Sequence, residues 1–186
     1  MVQNVRLAVR LKITDNEAFS ALEALHAKMG LSGVVAGLAR ETLWDLDVEA
    51  STHEAARARV EEAMSRTNVF LNPNKHYHSF APAESVGADL EPDEVGVVVT
   101  DREGADSPRA LAAVARAGVS GIIAVRMRTR WRIRLTSPAI QGHPEVLELI
   151  KRIGVTTGRD AGLLANPHSQ SAVAVFPWGE QKPLVA

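Results

Sequence analysis

Arg126, Arg128, Arg130, Arg132 and Arg134 occupy every second position of one short segment. Side chains alternate between the two faces of a strand. All five guanidinium groups therefore point one way, while Val125, Met127, Thr129, Trp131, Ile133 and Leu135 point the other. A guanidinium is a permanent cation with a planar fork of donors, suited to gripping carboxylates or phosphates and unsuited to proton transfer. An earlier segment carries the opposite sign. With Trp44 set against Trp131, Glu41 falls opposite Arg128, Asp45 opposite Arg132 and Asp47 opposite Arg134. Three destinations compete: a solvated face, a phosphate or nucleic-acid surface, and a contact of the stripes with each other or with an acidic partner. Five like charges in a row repel one another, and no aromatic shares their face to stack bases. Docking is therefore the preferred reading, with Asp45, Asp47, Arg126, Arg128, Arg130, Arg132 and Arg134 as the docking residues. It can operate within one chain or between chains.

Other residues with chemical potential form no constellation. There are no cysteines, so disulfides, thiolate metal sites and thiol nucleophiles are excluded. His76 and His78 share one strand face, and His168 sits near the corresponding place later in the chain, but no third ligand has suitable spacing. The segment Gly154 to Gly162 is glycine-rich, yet it follows a helix instead of opening one, so its amides are not aimed as a phosphate loop requires. Ser32-Gly33 and Ser120-Gly121 recur without a nucleophile-elbow pattern. The expectation is a chain with no catalytic residues, metal or cofactor of its own.

These residues sit within a repeat. ALHAKMGLSGVVAGLAR (24–40) and AAVARAGVSGIIAVRMR (112–128) share Ala24/Ala112, Ala27/Ala115, Gly30/Gly118, Ser32/Ser120, Gly33/Gly121, Ala36/Ala124 and Arg40/Arg128. The unit to explain is thus one half of the chain. In the first half, Val5 to Leu11 alternates as a strand. A helix buries Ala18, Leu22, Leu25 and Met29 and stops at Gly30. Val34-Val35 and Leu43 to Val48 are two further strands. Ser51-Thr52-His53-Glu54 resembles a capping box opening a helix with Ala56, Val60, Ala63 and Met64 inward. Asn72-Pro73 breaks the chain before a strand over Tyr77 to Phe80.

The second half repeats the order. Strands are expected over Val95 to Thr100, Val119 to Val125, Arg130 to Leu135 and Ala172 to Phe176. A helix opens at Ser107-Pro108, and another runs from His143 to Ile153 with Val146, Leu149, Ile150 and Ile153 inward. Two successive β-α-β-β-α-β units predict an α+β protein with two tandem ferredoxin-like layers, helices on one face of an antiparallel sheet and the other face open. The domains are then 1–80 and 95–176. A polar, acidic linker with Pro82 and Pro92 joins them over 81–94, spanning at most ~45 Å, and 177–186 is a tail.

Bulk composition agrees. The 186 residues are 46% hydrophobic but only 4% aromatic, which calls for aliphatic and alanine-rich cores. The net charge of −1 gives no global attraction to nucleic acid or anionic membrane. No segment approaches 18 apolar residues, and the N-terminus lacks an apolar signal core. Cytoplasmic location is the default expectation.

Leu163-Leu164-Ala165-Asn166-Pro167, after a helix and before a closing strand, resembles the "LLANP" segment of the PurS family, the small subunit of formylglycinamidine ribonucleotide synthase. Asn72-Pro73 is its echo in the first half. The glycine-then-valine entries Gly30 to Val35 and Gly118 to Ile123 are similar to the family's, and Val125-Arg126 matches the start of its V-R-x-G-K segment. Arg128-Thr129 and Glu41-Thr42 replace the family's glycine-lysine pair. Its D-P-x-G turn survives only as Asp15-Asn16-Glu17-Ala18 and Asp106-Ser107-Pro108. The resemblance implies a non-catalytic subunit of a purine-biosynthetic ligase complex, bridging glutaminase and ATP-dependent synthetase subunits. Two fused copies would act as a covalent pseudo-dimer, with opposite charges on matched strands enforcing unlike pairing. A homo-oligomer is compatible with this reading; a membrane partner is not expected and nucleic acid is disfavoured. The alternative is a regulatory or binding module for a small effector, or for nucleic acid through the arginine strand.

Overall fold

The computed structural model describes residues 1–81, 86–138, 144–158 and 162–185. Pro82 and Glu84 of the expected linker, His143 at the expected helix start, Arg159, Asp160 and Ala161 of the glycine-rich segment and Ala186 of the tail lie outside them. In chain order the elements are β1 (Val2–Leu11), α1 (Asn16–Ala27), β2 (Val35–Glu49), α2 (His53–Arg66), β3 (His76–Ala81), β4 (Glu94–Asp101), α3 (Pro108–Arg116), β5 (Ile122–Leu135), α4 (Pro144–Gly154), β6 (Gln170–Val175) and β7 (Gln181–Val185). The protein is α+β. Its strands form a seven-stranded antiparallel sheet in the order β3-β1-β2-β5-β4-β6-β7, accompanied by four helices among the described residues.

Each half runs β-α-β-α-β rather than the expected β-α-β-β-α-β. The two middle strands of each half are one continuous strand, β2 or β5. No proline or Asn-Gly pair interrupts Ala36 to Thr42 or Arg126 to Thr129. The two-residue alternation therefore runs on unbroken, and a turn there would have needed such residues. The tail is likewise a strand: β7 pairs with β6, setting Val175 opposite Gln181 and Ala174 opposite Lys182.

The chain divides into two compact units, and neither is a half of the sequence. Unit 1 holds residues 1–13, 42–84 and 105–128; unit 2 holds 14–41, 85–104 and 129–186. Unit 1 thus combines β1, the second part of β2, α2 and β3 with α3 and the first part of β5. Its core joins Val5, Leu7 and Val9 of β1 and Ala56, Val60 and Ala63 of α2 to Ala110 and Val114 of α3. Unit 2 combines β4, the rest of β5, α4, β6 and β7 with α1 and the first part of β2. Its core joins Leu25 of α1 and Val35 of β2 to Val95, Val97, Ile150, Ile153 and Ala174. The repeats have exchanged their first helix and the strand segment that follows it. The continuous strands explain this: the 15-residue β2 carries α1 past the end of its own half's core.

Local signals set the helix ends. Asp15 Oδ1 accepts from the backbone N–H groups of Glu17 and Ala18 to cap α1. Thr52, rather than Ser51, caps α2 by accepting from Ala55 N–H. Gly30 and Gly118, identical positions of the repeat, follow α1 and α3 at φ +66° and +76°, where other residues are strained. Pro108 opens α3 as expected, but the Ser107 side chain makes no capping bond.

Residues 86–94 of the expected linker are not a spacer. Val86 and Leu90 are buried, and the segment turns through Leu90 N–H to Gly87 C=O and Glu94 N–H to Glu91 C=O. Gly87 lies so close to strand β6's end that a Cβ would sit 2.2 Å from the Phe176 carbonyl oxygen. Two apolar side chains four residues apart favour packing in unit 2 over extension through water.

Leu25 and Val60 belong to the same sequence half but to different units, whereas Leu25 and Ile153 share one core. Leu25→Ala should cost about 2–5 kcal/mol in chemical denaturation. It should couple to Ile153→Val by ~0.5 kcal/mol or more, and add to Val60→Ala within ~0.5 kcal/mol. Coupling of the opposite pattern would overturn the exchange.

Candidate functional site: two arginine–carboxylate ladders

The face carrying the arginines is not the open, solvated face expected for a helix-covered sheet. Arg130 has no solvent exposure, and Asp45, Glu41, Arg6 and Glu94 are all buried. β2 and β5 are neighbours in the sheet. Their acidic and basic stripes consequently lie side by side, within reach of direct cross-strand pairing.

In unit 1, Arg126 Nη2 donates to Asp47 Oδ1 at 2.6 Å, and Arg128 bonds Asp45. Strand β1 adds a second set of donors. Its register places Arg6 opposite Asp45 and Asn4 opposite Asp47, where Arg6 Nε donates at 2.6 Å and Asn4 Nδ2 at 2.8 Å. Asp45 is thus held between two guanidinium groups. The hydrogen bond from Arg126 keeps the Asp47 carboxyl below the usual carboxylate range, against the opposing effect of burial.

In unit 2, Arg130 is the centre. Its Nη2 donates to Glu41 Oε2 at 2.6 Å and to Asp89 Oδ2 at 2.5 Å, and its Nη1 donates to the Val86 carbonyl at 2.8 Å. Arg132 bonds Glu94 and reaches Glu41 Oε1 at 3.3 Å. Arg134, more than half exposed, lies 3.5 Å from Glu94. Burial alone would push Asp89 and Glu94 up. The hydrogen bonds and charges of Arg130 on Asp89 and of Arg132 on Glu94 outweigh it and hold both low. Burial would likewise lower Arg130, and Asp89 and Glu41 overcome that, leaving it raised.

All five arginines singled out in the sequence are therefore ion-paired, with Asp45 and Asp47 among their partners. The partners are not the aligned ones. Alignment sets Asp45 against Arg132 and Asp47 against Arg134, whereas contact sets them with Arg128 and Arg126, because antiparallel strands run away from each other about the pairing centre. Sequence reasoning missed Asp89, Glu94 and Asp93, whose Oδ2 lies 3.8 Å from Arg134 Nε, as ladder members, although it noted the segment that holds them as acidic. It also missed Arg6 and Asn4, for which the available signal was polar residues alternating with Val5 and Leu7 on β1. Each arginine of the row therefore has a carboxylate beside it, and the strand is not an unpaired cationic stripe.

The motif residues fall elsewhere. Leu164 and Ala165 are buried in the unit 2 core, while Leu163 is exposed. Asn166 Oδ1 accepts from His168 N–H, and Asn72 Oδ1 accepts from Asn74 N–H, so Asn166-Pro167 and Asn72-Pro73 form matching turns into β6 and β3. Each turn is closed by a side chain four residues on: Asn72 N–H donates to His76 Nδ1, and Asn166 N–H to Gln170 Oε1. Gln170, not His168, is therefore the counterpart of His76. Among the described residues, no group of three His, Cys, Asp or Glu side chains could hold a metal ion. The described residues on either side of the glycine-rich segment's centre pair with each other: Thr156 N–H donates to Ala165 C=O, Leu163 N–H to Ile153 C=O and Ala165 N–H to Gly154 C=O.

Unit 2 also holds a cleft of about 450 Å³ lined by Gly33, Val34, Leu135, Pro138, Val146 and Leu149, among others. In unit 1 the corresponding place is taken by Arg59, whose Nη1 donates to Ser120 C=O beside Gly121. Leu149 stands where Arg59 would be when α4 is matched to α2 through Ile150 and Val60. Among the described residues, no helix is long and apolar enough to cross a membrane. No protein-family model and no curated protein matches the chain.

Replacing Arg130 by Met should cost about 3–5 kcal/mol, because two carboxylates lose their shared cation. Lys at this position should restore little of it, since one ammonium cannot serve both carboxylates and the Val86 carbonyl in the fork geometry. Urea denaturation reads both variants. The depressed carboxylates also set a pH dependence. Asp47, Asp89 and Glu94 bind protons less readily folded than unfolded, so their stabilisation is complete above the unfolded value near ~4 and is lost as pH falls through the lower folded values. The melting temperature should therefore drop through this acid range, and Asp47→Asn should flatten the slope.

Proposed function

We propose that the chain is a covalent pseudo-dimer of PurS-like halves. In this reading it bridges the glutaminase and ATP-dependent synthetase subunits of formylglycinamidine ribonucleotide synthase without catalysing a step itself. The observation that carries the proposal is the exchange of segments between the repeats. Counting its borrowed pieces, unit 1 contains four strands and two helices, the complement of one β-α-β-β-α-β layer. We read each unit as such a ferredoxin-like layer, assembled from both copies as in a dimer. Fusion makes the second contact intramolecular. The opposite signs of β2 and β5 disfavour the two like pairings, in which carboxylates would meet carboxylates and arginines would meet arginines. The LLANP-like segment and its echo supply the link to the family.

Reconstitution tests it. The chain is mixed with glutaminase and synthetase subunits from the same genome, and glutamine-dependent product formation is followed. Activity should require the chain, saturating at about one chain per pair of large subunits. Full activity without it overturns the reading.

A second reading, a module for a small effector, is favoured by one feature, the apolar cleft of unit 2 that Arg59 fills in unit 1. A thermal shift on adding amino acids or nucleotides that disappears in Leu149→Arg would support it.

A further inference from the structure

β3 is the terminal strand of unit 1, and the repeat shows what its outer edge is built to receive. β3 corresponds to β6. β3 places Tyr77 opposite Arg10 and Phe80 opposite Leu7 on β1, as β6 places Ser171 opposite Thr100 and Ala174 opposite Val97 on β4. The entry bonds match as well, with Lys12 N–H donating to Lys75 C=O and Arg102 N–H to Ser169 C=O. On β6 the outer edge is covered by β7, which pairs at Ala172 and Ala174. These positions correspond to His78 and Phe80 of β3. Because Lys75 turns its carbonyl toward β1, the alternation of an antiparallel pair turns the N–H and C=O groups of His78 and Phe80 outward. Among the described residues, nothing plays the part of β7 here. The protective devices of edge strands are also unequal: β7 carries Pro183, whereas β3 has no proline.

The surroundings of this edge are cationic and aromatic. Tyr77 is 53% exposed, with the Arg10 guanidinium 5.7 Å and the Lys12 ammonium 5.4 Å from its ring centre. Lys75 is exposed beside them, and Arg57 stacks 4.3 Å over the Phe80 ring on the other face. Among the described residues, no carboxylate pairs with Arg10, Lys12 or Lys75. We infer that β3 accepts an extended acidic segment of a partner protein as an added strand, as β6 accepts β7. The backbone of the segment bonds His78 and Phe80, and carboxylates at alternate positions lie against Arg10, Lys12 and Tyr77. Apolar residues between them lie on the Phe80 side, where β7 packs Leu184 against Gly154 in unit 2. A second copy of the chain is a poor occupant, since edge-to-edge pairing would set Arg10, Lys12 and Lys75 against themselves. The inference stands on unit 1 alone and does not depend on the purine reading.

The test is fluorescence anisotropy of a labelled Glu-Val-Glu-Val-Glu-Val peptide titrated with the full chain. Saturable binding that weakens with salt is expected. His78→Pro deletes one outward N–H while sparing the β1 ladder, and should weaken binding about tenfold or more with an unchanged melting temperature. Arg10→Glu with Lys12→Glu should also abolish it. Should His78→Pro disturb folding, the unaltered chain is titrated with a peptide N-methylated at alternate residues, which should bind only if the methylated edge faces away. Absence of saturable binding overturns the proposal. So does equal binding of the native chain to both alternately methylated peptides, which would mean electrostatic adsorption without strand pairing. A concentration-dependent dimer in sedimentation, lost in His78→Pro, would make the occupant a second copy and overturn it equally.

Discussion

A guanidinium with no solvent exposure must find its counter-charge inside the protein, and Arg130 meets that demand with Glu41 and Asp89. Leaving one such charge unmatched is far more costly than the pair is stabilising. The constraint reaches well beyond one residue. It requires the acidic stretch of β2 to lie beside β5, and it requires residues 86–89 to present the Val86 carbonyl and Asp89 so that they complete the fork. Both requirements hold the first half of the sequence to elements of the second.

The ladders act mainly on specificity. Buried ion pairs contribute little net stability compared with apolar packing of the same volume, but they discriminate strongly between correct and incorrect neighbours. The stability of each unit comes from aliphatic cores in which Leu25, Ile150 and Ile153, or Val60, Ala63 and Val114, are almost fully removed from water. Those cores are similar in the two halves and cannot by themselves distinguish one copy from the other. The charges can. A duplicated chain whose strands bear opposite signs has one favourable pairing and two repulsive ones.

The duplication also makes each unit a control for the other. The same turn, an asparagine accepting from the residue two positions on, leads into β3 and into β6. The same glycine at positive φ ends α1 and α3. Against this shared frame the differences carry information: Leu149 in place of Arg59 leaves a cleft, and β7 covers an edge in one unit that no described strand covers in the other.

The sequence alone determined the α+β class, the repeat, the inward faces of the helices and the pairing preference of the charged strands. All of these rest on local periodicity and on residue chemistry, which require no knowledge of neighbours. Alternation put Arg126 to Arg134 on one face whatever that face met, and Asn-Pro pairs had to turn the chain. Tertiary structure decided the rest. Whether Val35 and Leu43 belong to two strands or one depended on β5 being present to continue the ladder. Whether 86–93 was spacer or cover depended on a buried cation needing Asp89. Whether α1 packed with α2 or with α4 could not be read from either helix, because both offer aliphatic faces of the same kind. That choice was set by where a 15-residue strand ends, a matter of length and geometry in three dimensions.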